Sequence, residues 1–172
     1  MSRWWGPLLL GLVVAVIGYG AILEAIPRGI MAVAERRIAA RTGWNDMAFP
    51  PLPTAEARSV VRPSPDLAYA ICVVDIGKGP VRIDAPALPA RYWSVSVFDH
   101  RTDVAFVRNN RDSRGGPISI VLAREGQRTP AVVPVVRLPS ARAIALLRVL
   151  VEDRGAFPAI DRTRRAARCG PA

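Results

Sequence analysis

One histidine, one lysine and two cysteines are all that 172 residues hold of these three types, and each shortage closes off a class of function. With His100 alone, no two-histidine metal site can form within one chain, and no zinc-ligand spacing is present. With Lys78 alone, the formal charge of +10 rests almost wholly on arginine. That bias, beside abundant Ala, Val and Pro, is accounted for by the codon usage of a GC-rich bacterial genome. The arginines are scattered, except at Arg162, Arg164, Arg165 and Arg168, and no basic-aromatic RNA signature accompanies them. Nucleic acid is therefore not an expected partner. A G-x-S-x-G elbow, a P-loop and a G-x-G-x-x-G fingerprint are also missing. No metal or cofactor is expected, and there is no internal repeat.

What the chain does have begins with twenty uncharged residues, Trp4 to Leu23. As a helix rising 1.5 Å per residue, they span the roughly 30 Å hydrocarbon layer of a bilayer. Trp4, Trp5 and Tyr19 fall near the ends, where amphipathic rings favour the headgroup level. The run exceeds a cleavable signal's apolar core, and the nearest small-x-small site, Ala32-Val33-Ala34, lies well beyond it. An uncleaved, single-pass anchor over 1–26 is the expectation. The flanking charges, Arg3 against Arg28, Arg36, Arg37 and Arg41, lean towards a cytoplasmic body.

A juxtamembrane helix is expected over 27–43, extending the anchor beyond a bend at Pro27. Ile30, Met31, Ala34, Ile38 and Arg41 fall near helical spacing, Glu35, Arg36 and Arg37 point to the other side, and Gly43 supplies a stop. Such a helix could also lie flat on anionic headgroups, so contact of the Arg-rich helices with anionic lipid is a further expectation. Five prolines between 44 and 65 suggest an extended linker, with Arg58–Val61 as a short edge strand.

From 66 to 172 the pattern is that of β-structure. The apolar run Leu67–Ile76 ends in Gly-Lys-Gly-Pro, "VRIDA" alternates, and "WSVSV" places Trp93, Val95 and Val97 opposite Ser94 and Ser96. "VAFVRN", "ISIVLA", "VVPVVRL" and "AIALLRVLVE" follow, and 156–168 reads as a closing helix. The fold class expected is mainly β: an N-terminal transmembrane helix, then one small β-sandwich or barrel-like domain with a C-terminal helix.

The densest chemistry lies in "FDHRTD", Phe98 to Asp103. Asp99 and His100 are neighbours on a strand and so point apart; His100 reads as a solvated turn residue, and no catalytic residue is assigned. Asp99, Asp103, Asp112, Asn109 and Asn110 lack the spacing of a calcium loop and read as turn caps. Tyr69, Tyr92, Trp93 and Phe98 read as core and cross-strand packing, with a ligand pocket as the minority view. Cys72 and Cys169 leave two readings open, a bridge or two free thiols.

Four motifs in order then resemble the bacterial family called domain of unknown function 1254. They are Pro63, Pro65, Asp66 and Tyr69; Gly79, Pro80 and Val81; Arg91, Tyr92, Trp93 and Ser94; and Phe98, Asp99 and Thr102. Ser64 and Asp103 stand where that family commonly has Asn. The chain is similar to the short, membrane-anchored members that lack a second domain. The resemblance implies a β-rich fold, a cell-envelope location with the domain in the periplasm of the inner membrane, and hence a Cys72–Cys169 disulfide pinning the terminal helix. It brings no established activity. Asp66, Tyr69, Tyr92, Trp93, Asp99 and Thr102 are its candidate ligand positions. The functional expectation is a non-catalytic module binding a protein or small molecule, with a hydrolase or lyase near Asp99 and His100 as the alternative. Whether it is an enzyme stays open, leaning to no.

Overall fold

The computed structural model describes residues 4–54, 63–130 and 132–172. Its first element is a single helix, α1 (Trp5–Thr42), which runs through Pro27 without interruption. It is the one described helix long and apolar enough to cross a membrane. Leu8, Val16, Ile22 and the other large apolar residues up to Leu23 are exposed. Gly43, at φ 87°, ends the helix and donates its N–H to Ala39 O, a left-handed stop that glycine adopts without a Cβ clash.

Among the described residues, nine strands follow in two sheets. The first has the order β1-β2-β8-β4-β5 and is antiparallel throughout, from β1 (Met47–Ala48), β2 (Leu67–Asp75), β8 (Arg142–Leu150), β4 (Trp93–Asp99) and β5 (Val104–Asn109). The second has the order β7-β6-β3-β9, from β7 (Val135–Arg137), β6 (Ile118–Ala123), β3 (Val81–Ala85) and β9 (Arg168–Pro171). Alternate residues of both sheets, such as Cys72, Val74, Ile83, Trp93, Ile120 and Leu147, meet in one buried core. The fold is therefore a small, mainly β sandwich behind a long apolar helix. A short helix, α2 (Phe157–Arg164), precedes β9.

Three expectations change. The closing helix stops at Arg164, and Cys169 lies on β9; the disulfide between Cys72 and Cys169 therefore joins sheet to sheet, with a Cα–Cα distance of 6.4 Å. Helix could not continue through the Gly170-Pro171 pair, which instead completes an edge strand paired with β3. The proline-rich stretch supplies β1, hydrogen-bonded to β2. The proposed strand at Arg58–Val61 lies outside the described residues.

The third change concerns Glu35. The end of α1 lies on the outer face of the first sheet, where Met31, Ala34 and Ile38 pack against Ile71, Phe98, Ile144 and Leu146. Glu35, expected among the polar residues, is fully buried on this side. The spacing 31, 34, 35, 38 is one helix face, so a carboxylate at 35 must enter the contact along with its neighbours.

Candidate functional site

The positions singled out by the family resemblance separate into two groups at opposite ends of β4. Asp66 and Tyr69 open β2 and Tyr92 and Trp93 open β4, both beside the end of β8, where Leu67 faces Leu150 and Trp93 faces Val149. Asp99 and Thr102 lie at the other end, with Asp99 facing Ala143. At about 3.3 Å per residue, the seven residues of β4 keep these groups some 20 Å apart. Within the first group, the Tyr69 hydroxyl accepts a hydrogen bond from Ser64 N at 3.1 Å, and the Trp93 side chain fills the core. These residues hold strand ends in place.

The second group builds the β4–β5 turn. Asp99 Oδ1 accepts from Arg101 N at 2.7 Å and Asp103 N at 3.0 Å, and Thr102 N donates to Asp99 O at 3.0 Å. Thr102 is held at φ 71°, a left-handed conformation unfavourable for a β-branched side chain. The same economy governs the next loop. Asn109 Oδ1 accepts from the N–H groups of Arg111 and Asp112, and Asp112 Oδ2 accepts from Asn109 N. These oxygens serve the backbone, and no group of three or more His, Cys, Asp or Glu among the described residues is placed to hold a metal.

His100 is not the solvated residue the sequence suggests. Its Nδ1 lies 3.1 Å from Oε1 of the buried Glu35, while its backbone N–H reaches Ser140 Oγ at 3.4 Å. Glu35 Oε2 has no partner among the described residues. Beside it, Arg101 Nη2 donates to Glu24 Oε1 at 3.0 Å, and Glu24 also pairs with Arg28 one helical turn on. The "DHR" of the turn thus locks onto α1 at two points. A cleft of about 190 Å³ lies at the Arg101–Glu24 contact, lined by Leu23, Glu24, Pro27, Arg101, Thr102 and Asp103.

A second, wider cleft of about 480 Å³ opens where β9, β1 and α2 converge around the disulfide. On its wall Arg82 grips Asp84 through Nε and Nη2, and the Ser119 hydroxyl donates to Asp84 at 2.6 Å. Burial pushes the Asp84 carboxyl up, but the hydrogen bonds from Arg82 and Ser119 and the charges of Arg82 and Arg168 outweigh it and hold the group below its ordinary value. Asp161 behaves alike: burial raises it, and hydrogen bonds and charge from Arg165 and Arg164 bring it below its ordinary value.

Arg164 is the residue that sequence reasoning misplaced. Read as part of a basic surface, it is fully buried. Its Nη1 donates to Pro50 O at 3.0 Å and to Tyr69 O, its Nε donates to Asp161 at 2.9 Å, and it lies over the rings of Phe49 and Phe157. It ties the proline-rich stretch, β2 and α2 together. The Asp161–Arg164 spacing on a helix was the available signal.

These features define a class: a disulfide-linked β-sandwich with a long apolar helix locked to its outer face. The chain belongs to the family described as Protein of unknown function (DUF1254), whose pattern matches residues 44–171. No curated protein matches it. Among solved structures it is similar to the VPA0106 protein from Vibrio parahaemolyticus, at 14% identity and a TM-score of 0.64 over 87% of this chain. It is also similar to an uncharacterized protein from Burkholderia cenocepacia, at 19% identity and a TM-score of 0.50 over 90%. The chain spans 37% and 42% of those two chains, and the likeness is one of fold.

Proposed function

We propose that this is a single-pass protein of the bacterial inner membrane whose sandwich stands in the periplasm and binds a partner or small ligand without catalysing a reaction. The observation that carries this reading is the unbroken α1: its apolar part is exposed and its end is packed onto the sheet, as suits a membrane anchor that also positions a domain. The Cys72–Cys169 bridge supports the periplasmic side, because disulfides persist in oxidising compartments. The arginine count that points inward is weakened, since Arg28 is neutralised by Glu24.

The hydrolase or lyase alternative has Glu35 and His100 as an orienting carboxylate and base, but among the described residues no hydroxyl or thiol hydrogen bonds the other ring nitrogen. Asp99 is committed to backbone N–H groups. Alkaline extraction of native membranes, followed by thiol alkylation with and without reduction, tests the proposal. The expected outcome is a chain that stays with the membrane and is alkylated at Cys72 and Cys169 only after reduction. Release by alkali would remove the anchor; two free thiols would move the domain to the cytoplasm.

A further inference from the structure

We propose that the cleft between α1 and the β4–β5 turn seats the headgroup of a phospholipid whose amine carries N–H donors, the chemistry of phosphatidylethanolamine. This rests on the membrane reading above. With Trp5–Leu23 filling the hydrocarbon layer, the first charged residue of α1, Glu24, marks the hydrocarbon boundary. The cleft is at that level: Leu23 and Pro27 form its apolar wall, and Arg101, Thr102 and Asp103 form the opposite one. The lock between Arg101 and Glu24 holds the turn there.

Charge decides which lipid fits. In the cleft one guanidinium, Arg101, meets two carboxylates, Glu24 and Asp103, and Arg28 pairs with Glu24 from outside the lining, so the cleft holds both signs. Glu24 is occupied by both arginines, yet a guanidinium has five donors, and Arg101 spends one on Glu24. The Asp103 carboxylate is 4.0 Å from Arg101 Nε, is largely exposed, and accepts no hydrogen bond among the described residues. An anionic glycerol headgroup would engage Arg101 and leave Asp103 unpaired beside a negative surface. A choline headgroup has the right charges but no N–H for Asp103. An ethanolamine phosphate matches both halves, its phosphate on Arg101 and its ammonium on Asp103. Thr102, at φ 71°, lines the cleft together with Arg101 and Asp103 in the turn capped by Asp99.

The full chain would be reconstituted in vesicles of equimolar phosphatidylethanolamine, phosphatidylcholine and phosphatidylglycerol with identical acyl chains. Flotation would be followed by native mass spectrometry of the protein released in mild detergent. The expected result is retention of the ethanolamine lipid about tenfold over either other lipid, as one charge-assisted hydrogen bond allows. Asp103→Asn should abolish that preference, and Arg101→Gln should lower retention of all three lipids. Preference for phosphatidylglycerol, equal retention of ethanolamine and choline lipids, or no effect of Asp103→Asn would overturn the proposal. A chain that floats but shows no preference would sink the headgroup seat alone; one that does not float would sink the membrane reading with it.

Discussion

His100 Nδ1 lies 3.1 Å from Glu35 Oε1 across 65 positions of sequence, and this contact joins a turn of the sandwich to the end of the apolar helix. Removing the imidazole leaves a buried carboxyl group with neither oxygen partnered among the described residues. His100→Ala should therefore destabilise the docked state by about 2 kcal/mol. Adding Glu35→Met should recover part of the loss, because the orphaned charge goes with it. Thermal unfolding of the full chain in detergent, read by proteolysis, would check this. A double variant no more stable than His100→Ala would show that the pair is incidental.

The Cys72–Cys169 bridge closes a loop of 97 positions. Loop-closure entropy predicts a loss of about 4–5 kcal/mol on its removal. The denaturant midpoint of Cys169→Ala should match that of the parent chain in reductant, both lying below that of the parent chain without reductant. Unchanged midpoints would show that core packing alone holds β9 to β3.

Arg164 satisfies two carbonyls and a carboxylate at once. Arg164→Ala should cost about 3–5 kcal/mol, as for other broken buried ion pairs. Arg164→Lys should recover little, since a single ammonium cannot reproduce the fork. Hydrogen exchange at Met47–Phe49 and Tyr69 should rise in both variants. Protection equal to that of the parent chain would contradict the role of tie.

Asp84 and Asp161 both have folded-state pKa values below their ordinary ones. The folded chain therefore binds their protons less readily than the unfolded chain. The stability they contribute is complete above the unfolded value near 4 and is lost as pH falls through the folded-state values. An unfolding midpoint that is flat from neutrality to about pH 5 and falls below about pH 4 is expected. Asp84→Asn and Asp161→Asn should each lower the plateau and flatten the acid limb. An unchanged acid limb in both variants would assign acid unfolding to other groups.

Much of the architecture was legible because it rests on short-range pattern. Alternation in "WSVSV" placed Trp93, Val95 and Val97 in the core, and the apolar run ending at Leu23 marked the helix. Ser94 and Ser96 faced the other way as expected, but they too are buried, because that face is covered; Arg148 Nη2 donates to Ser96 Oγ there. What the sequence could not disclose depended on contacts between distant segments. Glu35 reads as a surface residue until a sheet is laid on its helix, and Arg164 reads as one of a basic cluster until Pro50 and Tyr69 approach it. Likewise, strand β9 is too short and too glycine- and proline-rich to be recognised except by its pairing with β3.

Only Gly43 to Asp46 separate α1 from the first strand, and even there Asn45 is bonded to both the N–H and the C=O of Asp75. Asn45 thus ties the short connection between helix and sheet to β2. At 1.5 Å per residue the 38 residues of α1 make a lever of about 57 Å. A tilt of about 10° at one end therefore sweeps the other through about 10 Å. Whatever leans on the sandwich is felt along the whole shaft, and whatever twists the shaft turns the face that the sandwich presents.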